Sequence, residues 1–87
     1  MAREFQLQIF TQERKVLDEP ATSSVVPGED GYFGILADHA PLIANLGSGT
    51  LTIKREHAER RMTLAGGFIE VANNTVVILA DSVSTQQ

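Results

Sequence analysis

The chain has 87 residues and room for one domain. Nothing in its net charge of −4 suggests a nucleic-acid footprint, which would need a basic stripe. The absence of cysteine removes disulfides, thiolate nucleophiles and Cys-based zinc sites together.

Met1-Ala2-Arg3-Glu4-Phe5 has no apolar run behind its charge, so no signal peptide is expected. No stretch approaches the roughly 18 apolar residues of a membrane span, so membrane association is expected only through a partner. The dominant period is two. Phe5, Leu7 and Ile9 alternate with Gln6 and Gln8, the pattern of a half-buried strand. Thr11 to Lys15 is polar and breaks the pattern; Val16-Leu17 follows, and Glu19-Pro20 punctuates. Ala21 to Val26 is a second candidate strand, closed by Pro27-Gly28 and the acidic turn Glu29-Asp30-Gly31. Phe33 to Leu36 resumes an apolar run. Ala37-Asp38-His39-Ala40-Pro41 is a corner, because Pro41 lacks an amide donor and biases Ala40 away from helix. Leu42 to Leu46 follows, and Gly47-Ser48-Gly49 is expected to turn again.

Two hairpins carry testable registers. Around Glu56-His57-Ala58-Glu59, Ile53 is expected to face Met62, and Leu51 to face Leu64. Thr52 would then face Thr63, with Lys54 opposite Arg61. One face is then apolar and the other polar, and a slip of one residue would mix them. The other hairpin turns at Asn73-Asn74, residues that accept positive φ, with Val71 facing Val76 and Ile69 facing Ile78. Its second face, with Phe68, Glu70, Val77 and Leu79, is not cleanly polar. It is either covered by another layer or presented to a partner. Short strands at such spacing, with Gly, Pro and Asn turns and no amphipathic helix, indicate an all-β sandwich or small barrel. The domain is expected over 1–81, with Ser82 to Gln87 a loose polar tail.

The stretch from Pro27 to Leu42 reads Pro-Gly-Glu-Asp-Gly-Tyr-Phe-Gly-Ile-Leu-Ala-Asp-His-Ala-Pro-Leu. It resembles the signature of the epsilon subunit of the rotary F-type ATP synthase. Upstream, Phe5 to Leu17 fits that family's first strand and its Thr-x-x-Arg-x-Val turn. Downstream, Gly49 to Ile53, Gly66 to Val71 and Ile78 to Asp81 fit its later strands. The resemblance implies an antiparallel β-sandwich of about ten short strands in two sheets. It also implies a non-catalytic rotor role in the central stalk, linking the gamma subunit to the membrane c-ring and helping to couple ion translocation to ATP synthesis. The implied location is the cytoplasmic face of the bacterial inner membrane, peripheral to it. Carried over residue by residue, the gamma-subunit contact falls on His39, Ala40, Pro41, Leu42 and Ala44. The c-ring contact falls on Gly28, Glu29, Asp30, Gly31 and Tyr32. The chain departs from the family at Ala37-Asp38, where Pro-Gly or Pro-Asn is usual, and at Tyr32, where many relatives have a carboxylate or amide. Relatives commonly continue into a helical hairpin that restrains ATP hydrolysis and in some binds ATP. Without it, neither inhibition through helices nor ATP binding is expected.

Sharper chemistry is poorly supported. Asp38-His39 has no serine, cysteine or third ligand at useful spacing, so neither catalysis nor a metal is expected there. The acidic turn supplies two carboxylates where calcium wants six to eight oxygens. Gly66-Gly67 precedes a strand instead of a helix, so it is read as a bend or bulge and not as a phosphate loop. Lys54, Arg55, Arg60 and Arg61 are interleaved with Glu56 and Glu59, a solvated hairpin. No cofactor is expected. The competing function is a free-standing carbohydrate- or small-ligand-binding β-module. Such modules display exposed aromatics, and this chain has no Trp and one Tyr.

Overall fold

β1 (Phe5–Phe10) buries Phe5, Leu7 and Ile9 and turns Gln6 and Gln8 outward, as the alternation requires. The computed structural model describes residues 3–85. Seven further strands follow: β2 (Lys15–Ala21), β3 (Ser23–Gly28), β4 (Gly31–Leu36), β5 (Leu42–Arg55), β6 (Ala58–Ala72), β7 (Thr75–Ala80) and β8 (Val83–Thr85). No helix occurs among the described residues, so none is long and apolar enough to cross a membrane. Pro20 lies within β2, which pairs only with β1. An edge strand tolerates the missing donor.

The strands form one hydrogen-bonded sheet in the order β2-β1-β7-β6-β5-β3-β4, with β8 paired to β6. β5 and β6, of 14 and 15 residues, fold that sheet over on itself. The first half of β5 pairs with the second half of β6, from Leu42↔Val71 to Leu46↔Gly67. The other halves pair from Ser48↔Ala65 to Arg55↔Ala58. β7, β1 and β2 continue the first layer, and β8, β3 and β4 continue the second. The two layers enclose one core, from Leu7, Ile69 and Ile78 on one side to Val26, Leu51 and Leu64 on the other. The folded chain exposes 5342 Å². Surface scaling gives roughly 5,000 Å² for a single domain of this size.

The layers join at glycine. The β5–β6 ladder skips one pair, Gly47 and Gly66, and Gly66 and Gly67 adopt φ of 77° and 121°. Gly47-Ser48-Gly49, expected to turn the chain, bends one long strand instead. Divided there, β5 and β6 make four segments and restore the expected ten strands, although hydrogen bonding counts eight. The sandwich is antiparallel except for β1 and β7, which pair in parallel (Leu7↔Val76, Ile9↔Ile78).

The Asn73-Asn74 hairpin has the expected register, Val71↔Val76 and Ile69↔Ile78, with φ of 52° and 57° at the two asparagines. The β5–β6 hairpin does not. Leu51 pairs with Met62, Ile53 with Arg60, Thr50 with Thr63 and Thr52 with Arg61. The register is shifted by two residues because the turn holds only Glu56 and His57. A shift of two preserves which face each side chain occupies, so Leu51, Ile53, Met62 and Leu64 remain buried. It also removes the like-charge pair. Lys54 stands opposite Glu59, 3.7 Å from its carboxylate, and Arg61 lies 2.8 Å from the same group. Glu56 has a φ of 57°, costly for a residue with a Cβ. Glu56→Gly is therefore expected to stabilise the domain by about 0.5–1 kcal/mol in urea unfolding.

The expected tail is corrected in part. Val83–Thr85 adds β8 to β6 through Leu64↔Val83 and Met62↔Thr85, and half-buried Val83 packs against the core. The edge of β6 supplies backbone partners that do not depend on side-chain polarity. Gln86 and Gln87 of that tail lie outside the described residues, as do Met1 and Ala2.

Candidate functional site

The corner between β4 and β5 runs from Ala37 to Pro41. Asp38 occupies it with a φ of 63°, a conformation that Asp tolerates better than most residues. Its amide donates to Asn74 Oδ1 at 2.7 Å, and its carboxylate pairs with Arg3. The corner therefore forms with Asp where the resemblance led one to expect Gly or Asn. His39 Nδ1–H donates to the Ala40 carbonyl at 2.7 Å. Pro41 then leads into β5 without a donor.

Beyond Pro41 the strand alternates. Leu42 and Ala44 are half-buried and pack against the core, and Ile43 between them is 74% exposed. Leu42–Asn45 has a ladder partner, β6, on one side only. On its other side the Glu29 amide donates to the Asn45 carbonyl at 3.0 Å. Backbone groups alternate along a strand, so those of Ile43 point toward this same open edge. Facing the edge is the β3–β4 turn, with Glu29, Asp30 and Gly31 exposed at its tip.

Turn and edge bound an open groove of about 540 Å³. Of the residues expected at the gamma-subunit contact, His39, Leu42 and Ala44 line it, while Ala40 and Pro41 stand exposed outside. Of those expected at the c-ring contact, Gly28, Glu29, Asp30 and Gly31 line it. Tyr32 does not. It is 59% exposed and turned onto β5, where its hydroxyl accepts the Thr50 amide at 3.0 Å and Gly49 leaves space for it. Phe33, Ile43 and Asn45 complete the lining and were missed by the motif. The signal for Ile43 was present: an apolar residue on the outward parity of a strand whose inward parity is Leu42, Ala44 and Leu46.

The outer face of the first layer is a second feature. Phe68 and Leu79, opposite each other on β6 and β7, are 44% and 38% exposed, and Phe10 on β1 aligns with Leu79. Between the two possibilities for this face, coverage within the domain does not occur among the described residues. Together with Gln12 and Asp81 these side chains border a shallow cleft of about 220 Å³. Titration chemistry lies elsewhere. Asp18 on β2 accepts Gln6 Nε2 at 2.6 Å and lies 3.1 Å from Lys15 Nζ, which holds its carboxyl below the ordinary value. β2 is the far edge of the layer from the groove. Among the described residues, no three His, Cys, Asp or Glu side chains gather as metal ligands.

A folded-over all-β sheet that carries an open groove, bounded by a turn and a strand edge, defines a β-sandwich domain of the kind that presents a surface. The family described as ATP synthase, Delta/Epsilon chain, beta-sandwich domain matches residues 4–86, and the chain belongs to it. The chain is similar to the ATP synthase epsilon chain of Moorella thermoacetica, 48% identical over 77 residues, covering 87% of this chain and 58% of that one. It is also similar to the epsilon chain of Protochlamydia amoebophila, 43% identical over 84 residues, covering 95% and 57%. The chain thus spans a little over half the length of these relatives. Among solved structures, it resembles a chain of the Euglena gracilis mitochondrial ATP synthase with a TM-score of 0.89 at 24% identity, covering 94% of this chain and 53% of that one. That likeness concerns the fold.

Proposed function

We propose that this chain is the β-sandwich part of a central-stalk rotor subunit of F-type ATP synthase. It joins the gamma subunit to the c-ring, helps couple ion translocation to ATP synthesis and has no active site of its own. In a bacterium it works peripherally, at the cytoplasmic face of the inner membrane. The observation that carries this reading is the groove. Residues assigned to two different partners by the family resemblance, His39, Leu42 and Ala44 on one side and Gly28 to Gly31 on the other, lie across one cleft. Torque passed from one partner to the other would cross a short span of hydrogen-bonded sheet, backed by a closed core.

The chemistry of the walls suits protein partners. The β5 edge offers apolar Ile43 with backbone groups able to pair with an extended segment, and Pro41 keeps that edge short. The turn offers Glu29 and Asp30, charges that set register and orientation in a wet contact more than affinity. A sugar ring finds no exposed aromatic platform here, because the lining aromatic, Phe33, is half-buried. The test is recovery of the gamma subunit on immobilised chain. His39→Asp, which adds a carboxylate facing Glu29 and Asp30, should lower recovery at least tenfold. Lys54→Glu, at the opposite end of β5, should leave it within twofold. Equal recovery on both variants and the parent chain would defeat the reading.

A further inference from the structure

Asn74 sits second in the β6–β7 turn, where its φ of 57° is one that glycine would serve at least as well. Its side chain nevertheless has two partners far away in sequence. Oδ1 accepts the amide of Asp38 at 2.7 Å, and Nδ2 donates to the carbonyl of Glu4 at 2.9 Å. Its own carbonyl accepts the amide of Gln6 at 3.2 Å. One residue thus joins the β6–β7 turn, the start of β1 and the corner that leads to His39. The corner needs such a tie, because Asp38 holds a φ of 63° and its remaining polar tie among the described residues is the exposed ion pair with Arg3.

We propose that Asn74 is the positioning residue of the partner-facing corner: its amide holds Asp38 at positive φ, and so fixes the direction in which His39 and Ile43 are presented. This rests on the reading of the corner as the gamma-subunit contact. A residue needed only for its turn could be replaced by glycine without consequence, whereas a positioning residue could not. The role is also specific to one of the two turn asparagines. Asn73 is exposed, and its carbonyl accepts the Thr75 hydroxyl at 3.4 Å within the same turn.

Asn74→Gly and Asn73→Gly in the full chain separate the two roles, read by amide hydrogen exchange and by titration with the gamma subunit. In Asn74→Gly the Asp38 amide should exchange about five- to tenfold faster, the scale of one lost hydrogen bond, while Leu7 and Ile78 in the core stay unchanged. Gamma-subunit affinity should fall by a similar factor. Asn73→Gly should change neither. Unaltered exchange at Asp38 in Asn74→Gly overturns the inference, and so does an equal response in the two variants. Faster exchange with unchanged affinity also overturns it, provided that His39→Asp still weakens binding. If His39→Asp has no effect either, the assignment of the corner to the gamma subunit has failed. The affinity part then falls with it, and the tether to Asp38 is upheld by exchange alone.

Discussion

Ile43→Asp is expected to weaken gamma-subunit binding at least 100-fold while costing the domain only about 1 kcal/mol of stability. Ile43 is the most exposed large hydrophobic residue among the described residues, and it stands beside the open edge of β5. Burying such a side chain in an interface contributes about 1.5–3 kcal/mol. Replacing it with a carboxylate forfeits that contribution and adds the cost of burying an unpaired charge, several kcal/mol at order of magnitude. Glu29 and Asp30 across the groove add repulsion. At about 1.4 kcal/mol per decade, even the low end of these contributions gives two decades in Kd. In the free chain the side chain touches water, but it stands opposite Glu70, so the new like-charge pair should lower unfolding stability by about 1 kcal/mol and no more. Leu42→Asp would not separate the effects, because Leu42 packs on the core and would weaken folding as well. Calorimetric titration beside urea unfolding measures both quantities. Parent-like affinity would remove Ile43 from the interface.

The largest effect on folding is expected from Gly67→Ala. Gly67 pairs with Leu46 and Ala80, and its φ of 121° lies where residues with a Cβ rarely go. An added Cβ would collide with the Leu79 carbonyl oxygen and come within 2.8 Å of the Ala80 Cα. Both belong to the backbone of β7, so no side chain can move aside. Backbone strain of about 1–3 kcal/mol and overpacking of similar size give a destabilisation of at least about 2 kcal/mol. A domain of this length has roughly 4–13 kcal/mol in all. Gly34→Ala is the control. Its Cβ meets nothing closer than 3.9 Å, and stability should stay within about 0.5 kcal/mol. Equal unfolding midpoints for the two variants would contradict the glycine crossing between layers.

The two hairpins show how far the residues alone could lead. Asn73-Asn74 states both the place and the geometry of its turn, so the β6–β7 register could be read directly. Around Glu56-His57 no residue favours positive φ, and the alternation of side chains accepts any even shift. Face and partner were therefore legible, but the pairing was displaced by two. Gly47-Ser48-Gly49 has the composition of a turn and the structure of a bend. The difference is made by Gly66 opposite, a tertiary neighbour invisible locally. The parallel pairing of β1 with β7 has no local signature, and β8 is held by ladder bonds that Ser84 and Thr85 do not announce. At the site, the motif located the corner and the acidic turn. Only the folded sheet could place them across one groove, turn Tyr32 away from it and bring Asn74 beneath Asp38.

Amide hydrogen exchange of the chain, free and saturated with the gamma subunit, tests the central claim most directly. The account predicts new protection over Asp38 to Asn45, strongest at Ile43, with Glu56 to Arg61 at the far hairpin unchanged. Protection confined to the Phe10, Phe68 and Leu79 face, with the β5 edge exchanging as in the free chain, would contradict it.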